Sequence, residues 1–129
     1  MQFARWVFYI AGGLGLLLVA AMYFSEQYVS RDQPPAITHP EYFYGFAGVV
    51  LAWQIAFLII GSDPRRFRPL MPAAMVEKFS FVLAIGVLYA LGRVYPIMVG
   101  AASCDLILGV LFVIAYWKTP KYPTTQIPN

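Results

Sequence analysis

The chain has 129 residues, 60% of them hydrophobic and 12% charged, with a mean hydropathy of +0.67 and a formal charge of +3. So short a chain builds one domain, and so apolar a chain buries its core as a helix bundle in lipid rather than as a water-soluble globule. One cysteine, Cys104, excludes an intrachain disulfide, a CxxC redox pair and a cysteine zinc site.

A helix that crosses a bilayer needs roughly 20 apolar residues. The sequence holds four such stretches, and they predict helices over 6–24, 41–61, 73–94 and 96–117. The expected architecture is all-α: an antiparallel four-helix transmembrane bundle in a single domain, 1–117, followed by a cytoplasmic tail, 118–129. The first stretch is too long for a signal-peptide core and no A-x-A site follows it, so it is read as a retained span.

The first segment is rich in small residues. Ala11 and Gly15 form a small-xxx-small pair that lets a neighbouring backbone come close. Its helix can continue through Ser25-Glu26-Gln27-Tyr28, and Pro34-Pro35 ends it. The second segment opens on Thr38-His39-Pro40-Glu41, a capping-box pattern with Thr38 as N-cap. Gly48, Ala52 and Ala56, spaced four apart, predict a packing seam on one face.

Ser62-Asp63-Pro64 closes that helix. Arg65, Arg66 and Arg68 follow, interleaved with apolar residues, and suit anionic headgroups at about 1 kcal/mol per basic residue. The cluster is too short and too close to a membrane for nucleic-acid binding. Pro72 is expected as the first residue of the third helix. Glu77 suits the dipole of that helix, and Lys78 is expected to snorkel to the headgroups. Glu77, Ser80 and Ala84 share a face, an inward polar track from the cytoplasmic side. After the fourth segment, Pro120, Pro123 and Pro128 favour extended or disordered chain up to Asn129.

Lys and Arg set the orientation. One side holds Arg5, Arg65, Arg66, Arg68, Lys78, Lys118 and Lys121, and the other Arg31 and Arg93. Seven against two predicts a multi-pass protein with cytoplasmic termini.

Asp105 is the focus of the site expectations. It falls near the middle of the fourth segment, where a carboxylate costs about 2.5–3.5 kcal/mol to insert and normally faces protein or water. Ala101, Ala102 and Gly109 lie on the same helical face. By depth, Gly15, Val50 and Ile85–Gly86 are expected at its level, with Tyr89, Gln54 or Arg93 as its partner. Candidate ligand-binding residues are therefore Asp105, Tyr89, Trp53, Gln54, Gly15 and Arg93. His39 and Glu41 form a second, outer candidate, since a His-x-Glu pair can carry acid–base chemistry. One histidine and one cysteine supply no bis-histidine haem and no metal cluster, and the common nucleotide and hydrolase motifs are absent. No cofactor and no metal is expected.

The run Tyr44-Gly45-Phe46-Ala47-Gly48…Trp53-Gln54, then Asp63-Pro64-Arg65-Arg66-Phe67-Arg68-Pro69-Leu70-Met71 and Glu77-Lys78, resembles small uncharacterised bacterial inner-membrane proteins of four helices. That resemblance implies fold and location and carries no activity. In layout the chain is also similar to the EXPERA group of four-helix sterol-binding and isomerase proteins, through Trp53-Gln54, the short basic loop and the proline-led third helix. None of that group's acidic catalytic residues is matched to a position here. Small multidrug transporters share the size, but their defining acid lies in helix one, where this chain has none between Trp6 and Phe24.

These observations favour a non-enzymatic membrane protein that binds a lipophilic molecule near Asp105 or serves as an accessory subunit. Its expected partners are membrane lipids, other membrane subunits or a second copy. A small isomerase-type enzyme acting on a lipid-like substrate and a proton-coupled transporter are the alternatives.

Overall fold

The computed structural model describes residues 2–124, so the end of the tail at Ile127-Pro128-Asn129 lies outside the described residues. The elements are α1 (Gln2–Tyr23), α2 (Glu26–Asp32), α3 (Pro40–Ser62), a 3₁₀ turn (Arg68–Leu70), α4 (Met71–Ala90) and α5 (Ile97–Lys118), with no strand among the described residues. Four helices are long and apolar enough to cross a membrane: α1, α3, α4 with its preceding turn, and α5. The chain is a multi-pass integral membrane protein.

Helix α1 pairs with α3, and α4 with α5; α1 also meets α5, while α3 touches α4 more lightly. A Cβ at Gly61 would meet the Tyr9 ring, one at Gly12 would meet Leu58 and the Gln54 carbonyl, and one at Gly48 would approach the Tyr23 hydroxyl. Position rises along α1 as it falls along α3, so these two helices run in opposite directions. The α4–α5 pair does the same, with Gly109 beside Lys78 and Phe79, and Ala102 beside Ile85.

The two hairpins join at the end that carries the termini. The core cluster there takes Ala4, Val7, Phe8 and Ala11 from α1, Phe57 and Ile60 from α3, Met71 and Ala74 from α4, and Phe112 and Ala115 from α5. Phe8 stacks on Phe112 at 4.3 Å between ring centroids, and Phe57 meets Phe112 edge-on at 5.0 Å. Toward the opposite end, burial falls to single apolar residues such as Val19, Ala47, Ile85 and Ala102. Two tyrosine hydroxyls tie that end: Tyr44 donates to Glu26 at 2.7 Å, and Tyr95 to the Pro34 carbonyl at 2.7 Å.

Several boundaries differ from the sequence expectation, each for a local reason. A turn at Phe24–Ser25 breaks the first helix, with the Ser25 hydroxyl donating to the Met22 carbonyl at 2.8 Å; α2 then runs to Asp32, just before Pro34. The N-cap of α3 is His39 rather than Thr38, and no side chain caps it. Proline prefers the first helical position, and Pro40 there moves the cap one residue on. Helix α4 stops at Ala90 rather than Val94. Gly92 takes φ +67°, and its N–H donates to Tyr89 O while that of Arg93 donates to Leu88 O. This is a Schellman stop, which favours glycine at the left-handed position. Pro72 falls at the second residue of α4 rather than the first.

Candidate functional site

The expected intramembrane acid is there, and its partner is Lys78. The Lys78 ammonium donates to Asp105 Oδ1 at 3.1 Å and stands 3.4 Å from Glu77 Oε2. Lys78 is buried at 5% relative exposure. Its amine also lies 5.2 Å from the centre of the Phe57 ring. It therefore does not reach the headgroups, and this corrects the snorkelling expectation. A charge that leaves water must be paired, and the pairing is built by Gly109, one turn beyond Asp105. Lacking a side chain, Gly109 admits the Lys78 stem, whose Cβ lies 3.3 Å from where a Gly109 Cβ would stand. The stem then runs along α5 toward the carboxyl. Depth counting missed it because it compared backbone levels, whereas a lysine reaches more than a turn from its own level. The usable signal was the glycine one turn past the acid.

Among the described residues, Tyr89, Gln54 and Arg93 make no hydrogen bond to Asp105. Tyr89 is 51% exposed and, with Gly86 and Ala102, lines a shallow groove between α4 and α5. Trp53 lines a different groove, with Ala52, Ala56 and Leu70. Gln54 is buried; its amide donates to the Val50 carbonyl at 3.0 Å, and its side chain fills the space over Gly15. Its Oε1 is buried without a hydrogen-bond partner. Of the six ligand-binding candidates, Gln54 and Gly15 thus meet each other, Tyr89 and Trp53 line different grooves, and none of the other five hydrogen-bonds to Asp105 among the described residues. Ala52 of the small-residue stripe faces outward, so the α1–α3 seam runs instead through Ala47, Gln54 and Gly61.

His39 and Glu41 do meet, Nδ1 to Oε1 at 3.0 Å, with side chains 64% and 62% exposed. Exposure at that level leaves the pair outside the protein interior, without the buried surroundings that strengthen acid–base groups. The three arginines separate. Arg66 is exposed, and Arg65 Nε is buried without a hydrogen-bond partner. Arg68 turns inward: Nε donates to Thr119 O at 2.7 Å and Tyr116 O at 3.3 Å, and its guanidinium lies 3.9 Å over the Tyr116 ring. Arg68 therefore caps the carbonyl end of α5, an interaction that suits the helix dipole. At the end of α2, the Arg31 hydrogen bond holds the Asp32 carboxyl below its ordinary range.

No group of three or more metal-ligating side chains stands together among the described residues. In comparisons with known proteins, no family model, no curated protein and no solved structure matches the chain.

Proposed function

We propose that this protein is a non-enzymatic membrane subunit, whose α3 takes a spanning helix from outside the chain. The observation that carries this reading is where the space lies. The mid-membrane interior is filled, by Gln54 over Gly15 and by Lys78 and Phe79 over Gly109. The open small-residue surface lies outside, at Ala52 and Ala56 beside Trp53 and Leu70. Small residues four apart let a second helix approach closely in lipid, where packing rather than hydrophobicity drives association. A solid interior suits a packing role better than turnover of a lipid-like substrate, and Asp105 is already engaged by Lys78.

The membrane is proposed to be a bacterial-type inner membrane, with the termini cytoplasmic. With Lys78 withdrawn into the bundle, Arg5, Arg65, Arg66, Arg68, Lys118 and Lys121 remain toward the end bearing the termini, against Arg31 and Arg93 at the other. The bias favours the same orientation. Exposed Trp6 and Trp117 on one side, and Tyr42 and Tyr95 on the other, suit two aromatic belts.

Cysteine cross-linking tests the helix-docking reading in native membranes. The Cys104→Ser background carries Ala52→Cys, and oxidation is followed on a non-reducing gel. A product at twice the monomer mass identifies a second copy as the occupant, and one at another discrete mass identifies a different subunit. Either supports the reading. A monomer alone, with the same result from Ala56→Cys, overturns it.

A further inference from the structure

A separate surface, on α4 and α5, has the chemistry of a lipid site. In the half of the molecule away from the termini, a groove of about 180 Å³ runs along the seam of these helices. Its floor is small or buried: Gly86, Ala102 and Ile85. Tyr89 and Val99 form part of its walls, 51% and 38% exposed. The one hydroxyl within the walls other than the Tyr89 phenol belongs to Ser103, and it is spent on the Val99 carbonyl at 2.7 Å. Along its length the groove therefore offers apolar contact.

Its far end is different. Beyond Tyr89 and Val99 comes the turn that joins α4 to α5, and the left-handed Gly92 sets that turn. Arg93 follows, exposed, and makes no side-chain hydrogen bond or salt bridge among the described residues. At this end of the molecule the other basic residue, Arg31, is already paired with Asp32 at 2.7 Å. A narrow apolar track with an unpaired guanidinium in the turn just beyond its Tyr89 wall complements one kind of membrane molecule: an alkyl chain carrying an anionic head.

We infer that the α4–α5 groove binds an anionic phospholipid, with an acyl chain along Gly86 and Ala102 and the phosphate at Arg93. The guanidinium presents paired donors that match phosphate oxygens. The Tyr89 phenol, on the groove wall toward that end, adds an amphipathic contact suited to the headgroup level. The site uses none of the residues of the α3 face, so it stands independently of the docking reading.

Native mass spectrometry of the full chain, released from mild detergent doped with equal phosphatidylglycerol and phosphatidylcholine, tests it. The wild type should retain phosphatidylglycerol in preference, by about fivefold, the scale of one basic residue at an anionic surface. Arg93→Gln should bring the two lipids to parity, and Arg93→Lys should keep a preference. Gly86→Leu should expel both lipids, because a side chain there meets open space and projects into the track. Circular dichroism matching the wild type shows that the variants fold. Equal retention by the wild type, or a preference that survives Arg93→Gln, overturns the proposal. So does a Gly86→Leu variant that keeps its lipid, or one that loses a dimer instead.

Discussion

Removing one partner of the Lys78–Asp105 pair strands the other inside the bundle. Lys78 has a side chain only 6% exposed, and Asp105 one 22% exposed. Breaking such a pair costs about 3–5 kcal/mol, whereas replacing both groups with apolar residues of similar volume is close to neutral. We expect Asp105→Leu to lower unfolding stability in bilayers or bicelles by that amount, and Lys78→Met to do so as well. The double variant Lys78→Met/Asp105→Leu should recover most of the loss. Reversible unfolding, read as a double-mutant cycle, checks this; additive losses would show that the pair is not coupled. The acid was legible in the sequence because an aspartate in an apolar run has few explanations. The lysine was not, because its place near the start of the third helix, at the inner boundary, made a surface role the simpler account. Only Gly109, read as a place for another helix's side chain, pointed the other way.

At the scale of elements, the helices themselves were legible, since each apolar stretch is long enough to span. What periodicity could not supply was which small residues face inward. Gly12 and Gly13 are adjacent, yet a Cβ at Gly12 would lie 2.9 Å from the backbone oxygen of Gln54, and one at Gly13 meets nothing within 4 Å. Backbone cannot give way as a flexible side chain does. Gly12→Ala should therefore cost about 1–3 kcal/mol, the range for overpacking a tight seam, while Gly13→Ala should leave stability unchanged or raise it slightly. Thermal unfolding in detergent, with the two variants side by side, measures the difference. Equal effects would mean that α1 and α3 do not meet along the Gly12 face. The same logic explains the stripe at Gly48, Ala52 and Ala56. Spacing by four puts three small residues on one side of α3, but the register with α1 decides which of them are covered, and α1 reaches Gly48 through Tyr23 and leaves Ala52 open.

For the whole molecule, the link between hairpins rests on few residues. Besides the aromatic core, Arg68 binds the loop after α3 to the last carbonyls of α5, across 51 positions of sequence. Nothing in the run Arg65-Arg66-Phe67-Arg68 distinguishes the three arginines locally, so the special role of Arg68 depends on where α5 ends. Charged hydrogen bonds of this kind contribute about 1.5–3 kcal/mol. Arg68→Ala should destabilise the protein by that much and Arg66→Ala by far less. Arg68→Lys should rescue only in part, because an ammonium cannot reproduce the planar stack on Tyr116. Limited proteolysis of the C-terminal tail in proteoliposomes offers a second readout, with faster cleavage after Lys118 in Arg68→Ala alone.

The ring trio of Phe8, Phe57 and Phe112 draws one side chain from each of three helices, and the last of them is the last to leave the ribosome. Phe8 and Phe57 can touch early, at 6.2 Å between centroids, but the 4.3 Å stack waits for Phe112. Biogenesis therefore has a natural order. The N-terminal pair of spans can assemble first, the C-terminal pair can zip along its own seam, and the final step latches the two together near the membrane face where both chain ends lie.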